Sequence, residues 1–163
     1  KLLSSSESMR VPRFDKATDD HMPEERWPVI EGPVDIIFLE GFCISLTGQS
    51  KDDLEVPINI LESEQDRQSI WRQRGNDVLS QLQSVFTEID FLVYLQVDDF
   101  AQVQVNRYRT ELALARDCVS YPSKTPAELA SFIAYYERMF MLQKSQMPHK
   151  ADYIVLAKDL YTP

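Results

Sequence analysis

The sequence predicts an α/β fold in which a parallel sheet is covered by helices on both faces. Three observations predict it. Three short runs are mostly apolar: "VDIIFLE" (Val34–Glu40), "DFLVYLQV" (Asp90–Val97) and "ADYIVLAKD" (Ala151–Asp159). They read as strands of a sheet buried on both sides. Longer stretches with helical spacing separate them. The order is strand, helix, strand, two helices, strand, and alternation of this kind implies parallel pairing with helical crossovers. Ligands of such sheets bind outside the carboxyl ends of the strands. Glu40, Asp98 and Asp99 lie at or near those ends.

Each element has a local reason. Residues 1–8 are polar and Ser-rich and read as a mobile end. Residues 9–33 carry four prolines and many charges, which predicts an ordered loop with little regular structure. Residues 41–62 read as loop with a short helical turn. A long helix is expected from Ser63, with Ser63 and Asp66 in a capping pattern and Glu64 in the first turn. Ile70, Trp71, Val78, Leu79, Leu82, Val85 and Phe86 recur at helical spacing up to Glu88. Asp98 or Asp99 is placed to cap a helix over about 99–117. Thr125-Pro126-Ala127-Glu128 puts a cap before a proline at the first helical position, and that helix is expected to reach about Lys144 and to be closed by Pro148. Tyr135, Tyr136, Phe140 and Met141 read as its core stripe.

Composition bounds the function. A chain of 163 residues, 44% hydrophobic and 26% charged, suits one domain with a real core. No apolar run approaches the roughly 20 residues of a membrane span, and no signal peptide is apparent. A net charge of −9 and a pI near 4.7 argue against broad binding to nucleic acid or anionic membrane. They leave room for one small anion in a local basic pocket. Cys43 and Cys118 form no Cys-x-x-Cys pair, and the two histidines are His21 and His149. A zinc site is therefore not expected, and the thiols suit a reducing cytosol.

Four stretches carry candidate chemistry. Glu40 ends the first apolar run just before Gly41. An acid there can hold Mg²⁺ or a water, because hard cations take oxygen ligands, and it can equally bond loop amides. In "VPRFDK", Arg13 and Lys16 can hold an anionic acceptor, with Asp15 fixing Arg13 or bonding a hydroxyl. The same residues also suit a solvated loop with an internal salt bridge. In "NRYRTELALAR", Arg107, Arg109 and Arg116 do not share one helical face, although Arg109 and Arg116, seven apart, nearly do; Arg107 and Arg116 also fit an ordinary solvated helix. In "IWRQRGND", Trp71 reads as a packing anchor and Arg72 as either a ligand-binding or an exposed residue. Gly75 inside a helix costs about 1 kcal/mol relative to Ala, which close packing against a neighbour would justify.

Taken in order, "VPRFDK", "WPVIEGPVDIIFLEGF", "NILESEQD" with "IWRQRGNDVL", "RYRTELALARD" and "FIAYYERMFMLQKSQMPHKADYIVLAKD" resemble the glycerate kinase-like P-loop kinases. These are relatives of uridine kinase, phosphoribulokinase and bacterial pantothenate kinase. The resemblance spans about residues 9–159. It implies a P-loop NTPase-like three-layer sandwich with a helical lid over about 99–144, and a cytoplasmic enzyme. That enzyme would move the γ-phosphoryl group of ATP, with Mg²⁺, to a hydroxyl of a small acid such as glycerate. It implies Glu40 for metal or water positioning, Arg13, Asp15, Lys16 and Arg72 for the acceptor, and Arg109 for the transferring phosphate. The lid pattern "WRxQQE" has Tyr108 for its Trp and Glu111 for a Gln, which bears on substrate choice.

The same resemblance implies a missing part. Such kinases begin with a strand and G-x-x-x-x-G-K-[ST], whose amides and Lys hold the phosphates. The four glycines, Gly32, Gly41, Gly48 and Gly75, open no such motif. The expectation is the latter portion of a kinase, inactive alone, incomplete at its N-terminal side and prone to self-association through an open sheet edge. The alternative is a non-catalytic remnant that binds a partner or completes another chain.

Overall fold

The structure, a computed structural model, describes residues 6–15, 18–117 and 124–157. The chain divides into two compact units, Lys1–Gly41 and Phe42–Pro163. Together they show a mixed α/β protein with a small parallel sheet. Among the described residues no helix is long and apolar enough to cross a membrane.

The first unit holds four short strands, β1 (Ser8–Arg10), β2 (Phe14–Asp15), β3 (Asp20–His21) and β4 (Val29–Glu31). β1 pairs antiparallel with β4, setting Met9 opposite Ile30, and β2 pairs antiparallel with β3. The proline-rich stretch is thus more regular than its sequence suggests, and Ser8, expected in a mobile end, begins a strand. Side chains supply the bonds that prolines withhold from the backbone. The Trp27 indole donates to the Met22 carbonyl at 2.7 Å, and the Arg10 guanidinium donates to the carbonyls of Glu24 at 3.2 Å and Trp27 at 3.4 Å.

Val34–Glu40 corrects the sequence reading. It was expected to be the first strand of the sheet, yet it forms no ladder. Ile36 is 67% exposed, Ile37 51%, Phe38 91% and Leu39 55%. Neighbouring residues of an extended chain point to opposite sides, so both faces of this run are open. An apolar run becomes a strand only when another strand accepts its backbone bonds, and among the described residues none does.

The second unit contains α1 (Lys51–Glu55), α2 (Ile60–Gln65), α3 (Ile70–Phe86), β5 (Val93–Gln96), α4 (Phe100–Asp117), α5 (Pro126–Ala134), α6 (Glu137–Lys150) and β6 (Tyr153–Leu156). β5 and β6 pair in parallel, Val93 opposite Tyr153 and Gln96 opposite Leu156. Tyr94 turns one face of β5 into a core shared with Leu46, Leu79 of α3, and Leu142 and Met147 of α6. Val93 and Leu95 on the other face are 46% and 56% exposed. β5 therefore has one covered face rather than the two expected.

Two expected helices are each divided. The single helix over 63–88 is α2 followed by α3. Asn59, not Ser63, caps α2 by accepting from the Glu62 amide at 2.9 Å. The break comes at Asp66, whose carboxylate accepts from the amides of Trp71 at 3.1 Å and Arg72 at 3.2 Å and so caps α3 from outside it, while Ser69 takes a left-handed conformation with φ 52°. The helix after Thr125 divides into α5 and α6 at Tyr135–Tyr136, and α6 continues through Pro148 to Lys150. Proline there removes one bond in the final turn, and Ala151 N–H closes the end on the Met147 carbonyl at 2.9 Å. Of the expected stripe only Phe140 is buried; Tyr135, Tyr136 and Met141 are 50%, 42% and 54% exposed. The Thr125–Glu128 capping box is present as expected, and Asp99 caps α4 through the Gln102 amide at 2.7 Å.

The segment entering the second unit is held by side chains. Gln83 donates to the Leu46 carbonyl at 2.8 Å, Lys150 to the Ser45 carbonyl at 2.7 Å, Gln146 to the Thr47 carbonyl at 2.9 Å, and Gln143 to the Phe42 carbonyl. These bonds seat fully buried Leu46 without a strand to carry it.

Candidate functional site

The densest polar construction in the second unit is built on Glu62 of α2. Its Oε1 accepts from Arg138 Nε at 2.8 Å. Its Oε2 accepts from Arg138 Nη2 at 2.6 Å, Ile58 N–H at 2.9 Å and, more weakly, Arg72 Nη1 at 3.5 Å. Arg138 of α6 also donates to Gln49 Oε1 and the Asp53 carbonyl, both at 3.2 Å, and to the Val56 carbonyl at 2.7 Å. Its five N–H groups are all engaged. Arg72 of α3 meets Asp66 twice, Nε to the carboxylate at 3.0 Å and Nη2 to the carbonyl at 2.6 Å. All four side chains are buried. Burial alone would raise the Glu62 carboxyl, but the Arg138 bonds, the Ile58 amide and the two nearby guanidinium charges hold it below the usual carboxylate range.

This cluster binds α1, α2, α3 and α6 into one body. Bidentate Arg138–Glu62 pairing fixes angle as well as distance. Neither Glu62 oxygen keeps room for a cation, so the cluster is framework. A depression of about 230 Å³ opens on it, lined in part by Trp71, Gly75, Tyr135 and Met139.

The expected site residues fall in different places. In the first unit, Arg13 and Glu40 are exposed, and neither side chain makes a hydrogen bond or ion pair among the described residues. Asp15 is half-buried in β2, opposite Asp20. Lys16 lies outside the described residues. In the second unit, Arg109 is exposed on α4 and is likewise unpaired among the described residues. Arg72 is buried rather than an exposed helical residue, and Asp66 and Glu62 take three of its five N–H groups. Beside Arg109, Arg107 Nη2 donates to Glu111 Oε1 at 2.8 Å, and Glu111 is 1% exposed. The Glu that replaces a Gln in the lid pattern is therefore a buried partner of Arg107. Its Oε2 and Arg107 Nε have no partner among the described residues.

Sequence reasoning missed Glu62, Asp66 and Arg138 as a unit. A signal existed: Arg138 sits inside the strongly apolar "FIAYYERMFML", and a guanidinium in such a run requires a buried acid. Asp98 presents its carbonyl to Lys144 Nζ at 2.7 Å, which ties the carboxyl end of β5 to α6. Among the described residues no group of three or more acidic, His or Cys side chains is arranged to hold a metal. No protein-family model matches the chain, and no curated protein shows significant similarity to it.

Proposed function

We propose that this chain is the latter part of an ATP-dependent small-molecule kinase of the P-loop type, which transfers the γ-phosphoryl group to a hydroxyl of a small acid such as glycerate. The observation that carries the reading is the condition of the sheet. A parallel β5–β6 pair leads at its carboxyl end into Asp98 and Arg-bearing α4, while a run with the composition of a central strand, Val34–Leu39, has no ladder and both faces open. An incomplete three-layer sandwich would leave these features. The uncovered residues Val78, Leu82 and Val85 on α3 support the same reading.

In the proposed enzyme Arg109 is available for a phosphoryl group because no acid among the described residues neutralises it. Arg13, Asp15 and Lys16 would face the acceptor. Glu40 would give Mg²⁺ one carboxylate or water-mediated position, and phosphate oxygens and water would fill the rest. ATP phosphates need a loop that residues 1–163 do not contain. The setting would be cytoplasmic, with no nucleic-acid or membrane partner. The open run at Val34–Leu39 also favours a second reading, in which the chain completes another polypeptide without catalysis.

Product assays on the complete gene product, across small hydroxy acids and nucleosides with Mg-ATP, test the proposal. Phosphorylation of one hydroxy acid supports it. No turnover of any acceptor by a folded, Mg-ATP-binding protein overturns it.

A further inference from the structure

The motif "IWRQRGND" leaves an open question at Gly75, a glycine in mid-helix. Close packing does not account for it: a Cβ built there meets nothing nearer than Met139 Cε at 3.9 Å, an ordinary contact. The missing side chain instead leaves space in the depression of about 230 Å³ between α3 and the α5–α6 turn. A cavity of roughly 150 Å³ is enough for a benzene ring. The walls suit one: Trp71 and Tyr135 meet edge to face at 4.8 Å, with Ala134 and Met139 alongside. The floor is polar. Arg72 lines the depression, and two of its five guanidinium N–H groups have no acceptor among the described residues. Arg72 is otherwise buried.

We propose that this depression is a binding site for a small single-ring carboxylate, its ring against Trp71 and Tyr135 over Gly75 and its carboxylate on the unfilled N–H groups of Arg72. A planar carboxylate matches a guanidinium edge. A cation is excluded as the ligand because both Glu62 oxygens are already occupied by Arg138, Arg72 and Ile58. The site is independent of phosphoryl transfer, since none of its residues belongs to the proposed catalytic set.

Benzoate is the probe, titrated into the full chain carrying Trp27→Phe so that Trp71 is the sole tryptophan, excited selectively over the tyrosines. The expected result is a saturable change with a midpoint on the order of 1 mM, as suits a ligand of this size. Gly75→Leu fills the space and should abolish the response while circular dichroism shows the helices intact. Gly75→Ala, a milder filling, should weaken it several-fold. Neutral benzyl alcohol should bind at least tenfold more weakly. A linear, unsaturable response overturns the site. So does equal binding by Gly75→Ala, and equal binding of benzyl alcohol overturns the assignment of a carboxylate.

Discussion

Glu62 shows how much one carboxylate can hold. Its removal would leave Arg138 and Arg72 as buried cations short of an acid. Glu62→Ala should destabilise the second unit by about 3–5 kcal/mol, measured by urea unfolding. The sign of its pH dependence follows from its depressed carboxyl. That contribution is complete above the unfolded carboxylate value of about 4.3 and is lost as pH falls through the lower folded value. The acid unfolding limb should therefore flatten in Glu62→Gln. Gly48 is a second sensitive position. A Cβ there would lie 2.6 Å from Asn76 Oδ1, and the Asn76 amide is held by two bonds to Gln49, at 2.6 Å from its N–H and 3.2 Å to its carbonyl. Gly48→Ala should cost about 1–3 kcal/mol, the range for overpacking.

At the scale of elements, helix starts were legible where the cap lies next to its helix. Thr125, Pro126 and Glu128 fall within four residues, and Asp99 lies three before the amide it caps. Thr125→Ala should cost about 1 kcal/mol by losing the cap, read from a lowered melting temperature. The start of α3 is not legible locally because its cap, Asp66, sits outside the helix and reaches forward across a left-handed Ser69. The functional forecast at this scale concerns α4. In the enzyme proposed above, Arg109→Ala should lower kcat more than it raises KM, by a factor on the order of 10³ where an Arg meets the transferring phosphoryl group. Arg116→Ala, exposed on the same helix, should change little. Equal small effects from both, in steady-state kinetics, would return Arg109 to an ordinary solvated surface.

For the whole molecule, open apolar surface is the main property. Val34–Leu39 offers unpaired backbone and four large apolar side chains, each more than half exposed from Ile36 to Leu39. Exposed strand-forming segments promote association. The purified 163-residue chain should self-associate in analytical ultracentrifugation, and Phe38→Lys should shift it toward monomer. The same chain should not bind Mg-ATP with micromolar affinity, because the motif that cradles phosphates in P-loop kinases is not among its 163 residues. Calorimetry decides this, and micromolar binding would remove the basis for the P-loop reading.

The sequence by itself determined the alternation of apolar runs and helices, the parallel partnership of β5 and β6, and the starts of α4 and α5. These are local matters: spacing, caps and turn residues lie within a few positions of one another. Tertiary structure alone decided that Val34–Glu40 has no ladder, that Arg72 is bound to Asp66 and Glu62, and that Arg138 closes that cluster from 76 residues beyond Glu62. Whether an apolar run becomes a strand depends on an edge elsewhere in the chain. Whether an arginine is a ligand grip or a framework depends on which acids burial brings to it, and neither condition is written in the residues beside it.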